Sequence, residues 1–169
     1  LDIAVPGVSA KEISAEISKG TIRKTGNGHF VAMPVSVGKA IITVKARGKE
    51  VSRHEFRVKR IPDPVIALTG VTAGGNIRLR TFKSITGIQA IFDNYDFEAA
   101  FAIKTYRVIF QRGDRQQMVD ATSPVFNKEI RKLMEEAKVG DVIVFTDVMA
   151  VGPDSTTPRR LAEVVFTLI

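Results

Sequence analysis

The sequence contains no cysteine and only two histidines. Without cysteine there are no disulfides, no thiolate metal sites and no cysteine nucleophile. No apolar run approaches the ~20 residues that a membrane-spanning helix requires. Aromatic residues make up only 7% of the chain. Leu1–Gly7 is too short to read as a signal peptide and lacks the basic start of one. The 169-residue chain therefore reads as a fragment or processed product. What is present is ordinary globular composition, 44% hydrophobic and 25% charged, with a net charge of +7. That charge invites a polyanion partner, and its placement tests the idea.

Residues 1–60 hold 12 basic and 5 acidic residues, and residues 61–169 hold 13 of each. The whole surplus lies in the first part. The division falls at Arg60-Ile61-Pro62-Asp63-Pro64, where two prolines cannot continue a helix or a central strand. Each also drives the residue before it toward extended geometry. The expected domains are a basic β-sandwich module over 1–60 and a neutral α+β module over 61–169. Arg60, Pro62, Asp63 and Pro64 form a stiff joint.

The first module reads as short strands. Ile13, Ala15 and Ile17 alternate with polar residues, as a half-buried strand requires. Gly26-Asn27-Gly28 supplies a turn, and His29–Val31 begins another strand. Ala40, Ile42, Val44 and Ala46 form one face of a strand that turns at Arg47-Gly48-Lys49 and returns through Glu50–Lys59. The pattern is an immunoglobulin-like sandwich, shorter than the ~100 residues usual for that fold, with room for a missing first strand ahead of Leu1. Lys45, Arg47, Arg53, Arg57 and Lys59 gather on one outward face. That face reads as solvated rather than anion-binding, because no aromatic residues are interleaved.

In the second module Val65–Leu68 is a strand, 72–76 a turn and Ile77–Phe82 extended, while Lys83–Phe92 is ambiguous. Residues 93–96 form a turn into a long strand over 97–111. The apolar face of that strand changes phase, from Phe101 and Ile103 to Tyr106, Val108 and Phe110, which demands a bulge near Lys104-Thr105. Arg112-Gly113-Asp114 matches the integrin-binding tripeptide but reads as a hairpin turn. A helix is expected from a Ser123 cap with Pro124 at its first position. It carries Phe126, Ile130, Leu133, Met134 and Ala137 inward and ends at Gly140. Strands follow over Val142–Met149 and Leu161–Leu168. The module is an antiparallel sheet with one covering helix.

No catalytic constellation is present. Gly38-Lys39 is no phosphate loop, Gly74-Gly75 no dinucleotide fingerprint, and no nucleophile elbow occurs. His29 and His54 read as structural histidines. Asp93, Asp96 and Glu98 lack the spacing of an EF-hand. No enzyme activity, cofactor, metal, small-molecule substrate or nucleic acid is expected. Asp154, Arg159 and Arg160, around the last loop, are the candidate partner-binding residues.

Several stretches resemble the GldM (PorM) family of gliding motility and type IX secretion. The most specific are Arg60-Ile61-Pro62-Asp63-Pro64-Val65 and Ala150-Val151-Gly152-Pro153-Asp154. Pro6-Gly7-Val8-Ser9-Ala10, Gly20-Thr21-Ile22, Gly38-Lys39-Ala40, Asn94-Tyr95-Asp96-Phe97, Val139-Gly140-Asp141 and Phe145-Thr146-Asp147 also fit, in order. The resemblance implies the last two periplasmic domains of a homodimeric protein, anchored in the inner membrane by a segment outside this chain. It further implies GldL (PorL) as the membrane motor partner, and GldK and GldN (PorK and PorN) as the ring touched at the far end. A generic β-sandwich ligand-binding or adhesion module is the alternative, and a nucleic-acid binder using the basic hairpin is a second rival.

Overall fold

The alternation of apolar and polar residues in the first sixty positions produces strands. In the computed structural model, which describes residues 1–71, 73–92, 99–154 and 156–169, the chain divides into two compact units, Leu1–Arg60 and Ile61–Ile169.

Unit 1 comprises β1 (Ile13–Ile17), β2 (Gly20–Lys24), β3 (Phe30–Pro34), β4 (Gly38–Ala46) and β5 (Lys49–Val58). These form two antiparallel layers of an immunoglobulin-like domain, a sheet β1-β4-β5 and a ribbon β2-β3. The β4–β5 hairpin closes on Arg47-Gly48, both with positive φ (50° and 78°), the backbone that matches the right-handed twist of the flanking strands. Ala40, Ile42, Val44 and Ala46 all point inward and are buried. The core is small: Ile13, Phe30 and Val44, with Ile3, Val5, Val8, Ala15 and Ile22 packed around them.

The outward face of this sheet is laced with ion pairs. Lys45 pairs with Glu16, Arg47 with Glu12, Arg53 with Glu50 and Lys39 with Glu55. Glu12 and Glu16 are thus both engaged within the chain. His29 meets Asp2 and His54 meets Ser52, so the two histidines have separate partners.

Unit 2 comprises β6 (Val65–Leu68), β7 (Gly75–Ile77), α1 (Leu79–Ser84), β8 (Ile88–Ile91), β9 (Ala102–Arg112), β10 (Arg115–Ala121), α2 (Lys128–Glu136), β11 (Val142–Val151), β12 (Arg159–Arg160) and β13 (Val164–Leu168). The main sheet runs β10-β9-β11-β13-β7, with β12 beside β11 and β6-β8 as a separate ribbon. All pairings are antiparallel except β13–β7. The core joins the inner sheet face to Phe82 of α1 and to Ile130 and Met134 of α2. The Phe145 ring stacks on Phe126, with centroids 6.0 Å apart, and meets Phe166 edge-on. The Tyr106 hydroxyl is buried without a partner, and burial pushes its pKa up to about 12.

The expected phase change is present. Lys104 and Thr105 are both exposed between buried Ile103 and Tyr106. The β9–β11 register shifts on both sides of Met149, which pairs with Thr105. Other expectations need correction. Ile77–Phe82 is not extended: the strand stops at Ile77 and one and a half turns of helix carry Phe82 into the core against Phe110. The long helix is capped by Asn127, whose side chain accepts from the Ile130 amide at 2.9 Å, and not by Ser123. Residues 124–126 cannot be helical, because the Pro124 carbonyl accepts from Ile88 and the Phe126 amide donates to Thr86. The helix also ends before Gly140, since Ala137 is already extended and the Asp141 carboxylate captures the Lys138 amide. Arg159–Arg160, expected in a loop, is a short strand. The acidic cluster Asp93, Asp96 and Glu98 lies outside the described residues, and the strand expected over 97–111 begins only at Ala102, residues 99–101 not being part of it.

Candidate functional site

Strand β12 is two residues long, and its alternation sends neighbouring arginines to opposite faces of the sheet. Arg159, opposite Ala150, turns inward; Arg160, opposite Met149, turns outward. The two therefore do different work.

The Arg159 side chain is only 5% exposed. Its guanidinium donates to the Ile61 carbonyl at 2.8 Å and to Asp63 at 3.1 Å, and also to Asp154. Its plane lies over the Phe101 ring at 5.2 Å, a cation–π contact. Asp154 accepts in addition from the Ile61 amide at 3.3 Å. Burial works to raise the Asp154 pKa, but the hydrogen bond and positive charge of Arg159 outweigh it and hold the carboxyl below its usual range. Gly152 lets the loop approach: a Cβ there would sit 2.5 Å from Phe101 and 2.9 Å from the Asp154 carboxylate. The result is a latch within unit 2 that fastens Ile61–Asp63 to the turn between β11 and β12. Of the joint residues, Pro62 is half-buried, Asp63 exposed and Pro64 buried, while Arg60 is exposed.

Arg160 belongs to a surface ladder. It donates to Asp147 at 2.5 Å. Arg107 reaches the same carboxylate at 3.4 Å and grips Asp120 with two hydrogen bonds of 2.8 and 3.2 Å. Asp147 occupies the β11 side of the bulge with a left-handed φ of 51°, which turns its carboxylate toward both arginines. These residues line a shallow recess of about 510 Å³ with Thr105 and Met149. Beside the ladder, Met118, Ile109, Val144 and Val165 stand in register across four strands. Met118 and Val165 at the two ends of that row are exposed. The outer sheet face thus carries an apolar row with an alternating charged rim.

Asp154, Arg159, Asp63 and Pro62 from the sequence reading come together at the latch; Arg160 does not join them. Phe101, Gly152, Arg107, Asp120 and Asp147 were not anticipated. The phase change at Lys104-Thr105 was the one signal pointing at Asp147, since a bulge on one strand calls for an accommodating residue on its neighbour. The integrin-like tripeptide sits exposed at the turn between β9 and β10, but its Arg112 is engaged with Asp141, at 2.7 and 2.6 Å, and with the Glu136 carbonyl at 2.8 Å.

Among the described residues there is no group of three or more potential metal ligands and no helix long and apolar enough to cross a membrane. No curated protein gives a significant match to the chain. Family models do match: the GldM third domain over residues 1–59 and the GldM C-terminal domain over residues 62–167. Between them they span both units and leave out only the start of the prolyl joint and the extreme C-terminus, so the chain belongs to the GldM family of gliding-motility and type IX secretion motor components.

Proposed function

We propose that the chain is a non-catalytic, periplasmic coupling segment, carrying force or conformational change from an inner-membrane motor toward an outer-membrane-associated ring. Family membership supports the setting. The observation that carries the coupling role is the latch: a buried arginine with two carboxylates holds the joint residues Ile61–Asp63 onto the rest of unit 2. A load arriving through Arg60 then meets a fixed point and not a slack linker. The motor partner is GldL (PorL), engaged through a membrane segment outside this chain, and the working form is a homodimer.

The test is Pro62→Gly, which loosens the joint while sparing buried Pro64. Both units should melt at unchanged temperature while type IX secretion falls. Unimpaired secretion in that strain removes the mechanical role.

The outer face of unit 2 is the proposed contact for the ring proteins GldK and GldN (PorK and PorN). The apolar row supplies area to bury, and Arg160 supplies a rim charge that orients a partner. Arg160→Glu opposes Asp147 with a second negative charge and should cut ring-protein capture in a pull-down several-fold; full capture places the contact elsewhere. A β-sandwich adhesion module, the other reading, gains no observation that favours it.

A further inference from the structure

The two layers of unit 1 are unequal: three strands face a ribbon of two. The shortfall is over β5. Phe56 and Val58 lie on the inward face of β5, opposite Ala40 and Gly38, yet Phe56 is 41% exposed. An apolar groove of about 320 Å³ runs between this face and the edge of β3, floored by Phe30, Ala32, Ala40, Ile42, Phe56 and Val58.

One end of the groove is already occupied by a strand. Leu1 and Phe30 exchange two backbone hydrogen bonds, at 2.9 and 2.8 Å. Asp2 bridges His29 in antiparallel sense, and the Ile3 amide donates to Gly28 at 2.8 Å. Leu1–Ile3 is therefore the start of a third strand on the open edge of β3. Beyond Phe30, nothing among the described residues pairs with that edge. Alternation along β3 directs the N–H and C=O of Ala32 to the open side, because Val31 and Met33 face β2.

We infer that this groove takes an extended strand supplied by the polypeptide leading into Leu1, running antiparallel to β3 along Val31–Pro34. The register is set by the Leu1–Phe30 pair. The residue two before Leu1 faces Ala32 and the residue four before faces Pro34. Both point inward with Leu1, onto Ile42, Phe56 and Val58, and are apolar. Residues one and three before Leu1 point outward beside Val31 and Met33. The strand closes the sandwich, covers Phe56 and removes an open edge that would otherwise pair with other chains.

The test extends the whole 169-residue chain upstream. One version carries Lys-Val-Thr-Val-Thr directly before Leu1, which puts valine at the two inward positions. The other carries Lys-Thr-Val-Thr-Val, the same composition one residue out of phase. A third carries the protein's own preceding residues. Amide exchange at Ala32 and the melting temperature are read in each. The in-phase version and the native residues should slow Ala32 exchange at least ten-fold and raise the melting temperature; the out-of-phase version should do neither. Equal behaviour of the two designed versions overturns the register. No protection by the native residues overturns their assignment to the groove. Protection of Ala32 in the unextended chain that grows with protein concentration means that a second copy occupies the edge, and this too overturns the inference.

Discussion

Asp141 shows how much one side chain can hold. It is 4% exposed, and its carboxylate accepts from the Arg112 guanidinium and from the Lys138 amide. Its carbonyl accepts from Leu168. The hydrogen bonds from Arg112 outweigh burial and, with the Lys138 amide and both positive charges, hold its carboxyl below the usual range. A carboxyl with a depressed folded-state pKa stabilises the fold above its unfolded value, about 3.9, and loses that contribution as pH falls through the folded value. Asp141→Asn should therefore melt below the parent at pH 7, with the gap closing as the buffer is taken from pH 5 toward pH 3. A gap independent of pH would mean that the ion pair with Arg112 contributes nothing and only packing is lost. The same side chain ties the arginine of Arg112-Gly113-Asp114 to the end of α2, where a cation also suits the helix dipole.

At the scale of elements, legibility in the sequence followed burial. Strands with one face in the core, β1, β4 and β11, alternate cleanly and can be read off the chain. The bulge in β9 was readable for the same reason, as a slip in that alternation. Strand β10 was not, because Arg115-Gln116-Gln117-Met118 is an edge with little buried surface, so no periodicity is imposed on it. The start of α2 was misread because Ser123-Pro124 has the local chemistry of a helix start while Pro124 and Phe126 are claimed by strand-like bonds to Ile88 and Thr86. Tertiary pairing overrode a local signal, and Asn127 took the cap. The two positions can be told apart. Asn127→Ala removes the acceptor of the Ile130 amide and should cost about 1 kcal/mol in urea unfolding. Ser123→Ala, losing only a 3.3 Å contact to the Val125 amide, should change stability by less than about 0.5 kcal/mol. The reverse order would restore the serine as the cap. The arginine pair was legible as a feature but not in its roles, because only a strand assignment sends Arg159 inward and Arg160 outward.

For the whole molecule, the surplus charge and the joint tell one story about where the chain meets other things. The +7 net charge belongs to unit 1, yet on its outer sheet face acids and bases alternate in pairs. Exposed pairs of this kind contribute little stability, but they break up the single-sign field that a polyanion would need. The charges that fix backbone in place are the few that are buried, and Arg159 is the clearest. Arg159→Ala removes the guanidinium from beside Asp63 and Asp154 and takes its hydrogen bond from the Ile61 carbonyl. Removing one partner of a buried ion pair costs about 3 kcal/mol at the low end of the usual range, appropriate because Asp63 is half-exposed. Unit 2 should melt lower, and the released backbone should become a protease substrate. Trypsin should cut after Lys59 and Arg60 several-fold faster than in the parent, under conditions where both units are folded. Arg160→Ala, which loses only its exposed pairing with Asp147, should leave cleavage at the joint unchanged. Equal cleavage in the parent and both variants would mean that Ile61–Asp63 is held by Pro64 and its packing alone, and that the buried arginine serves the turn after β11 and not the joint.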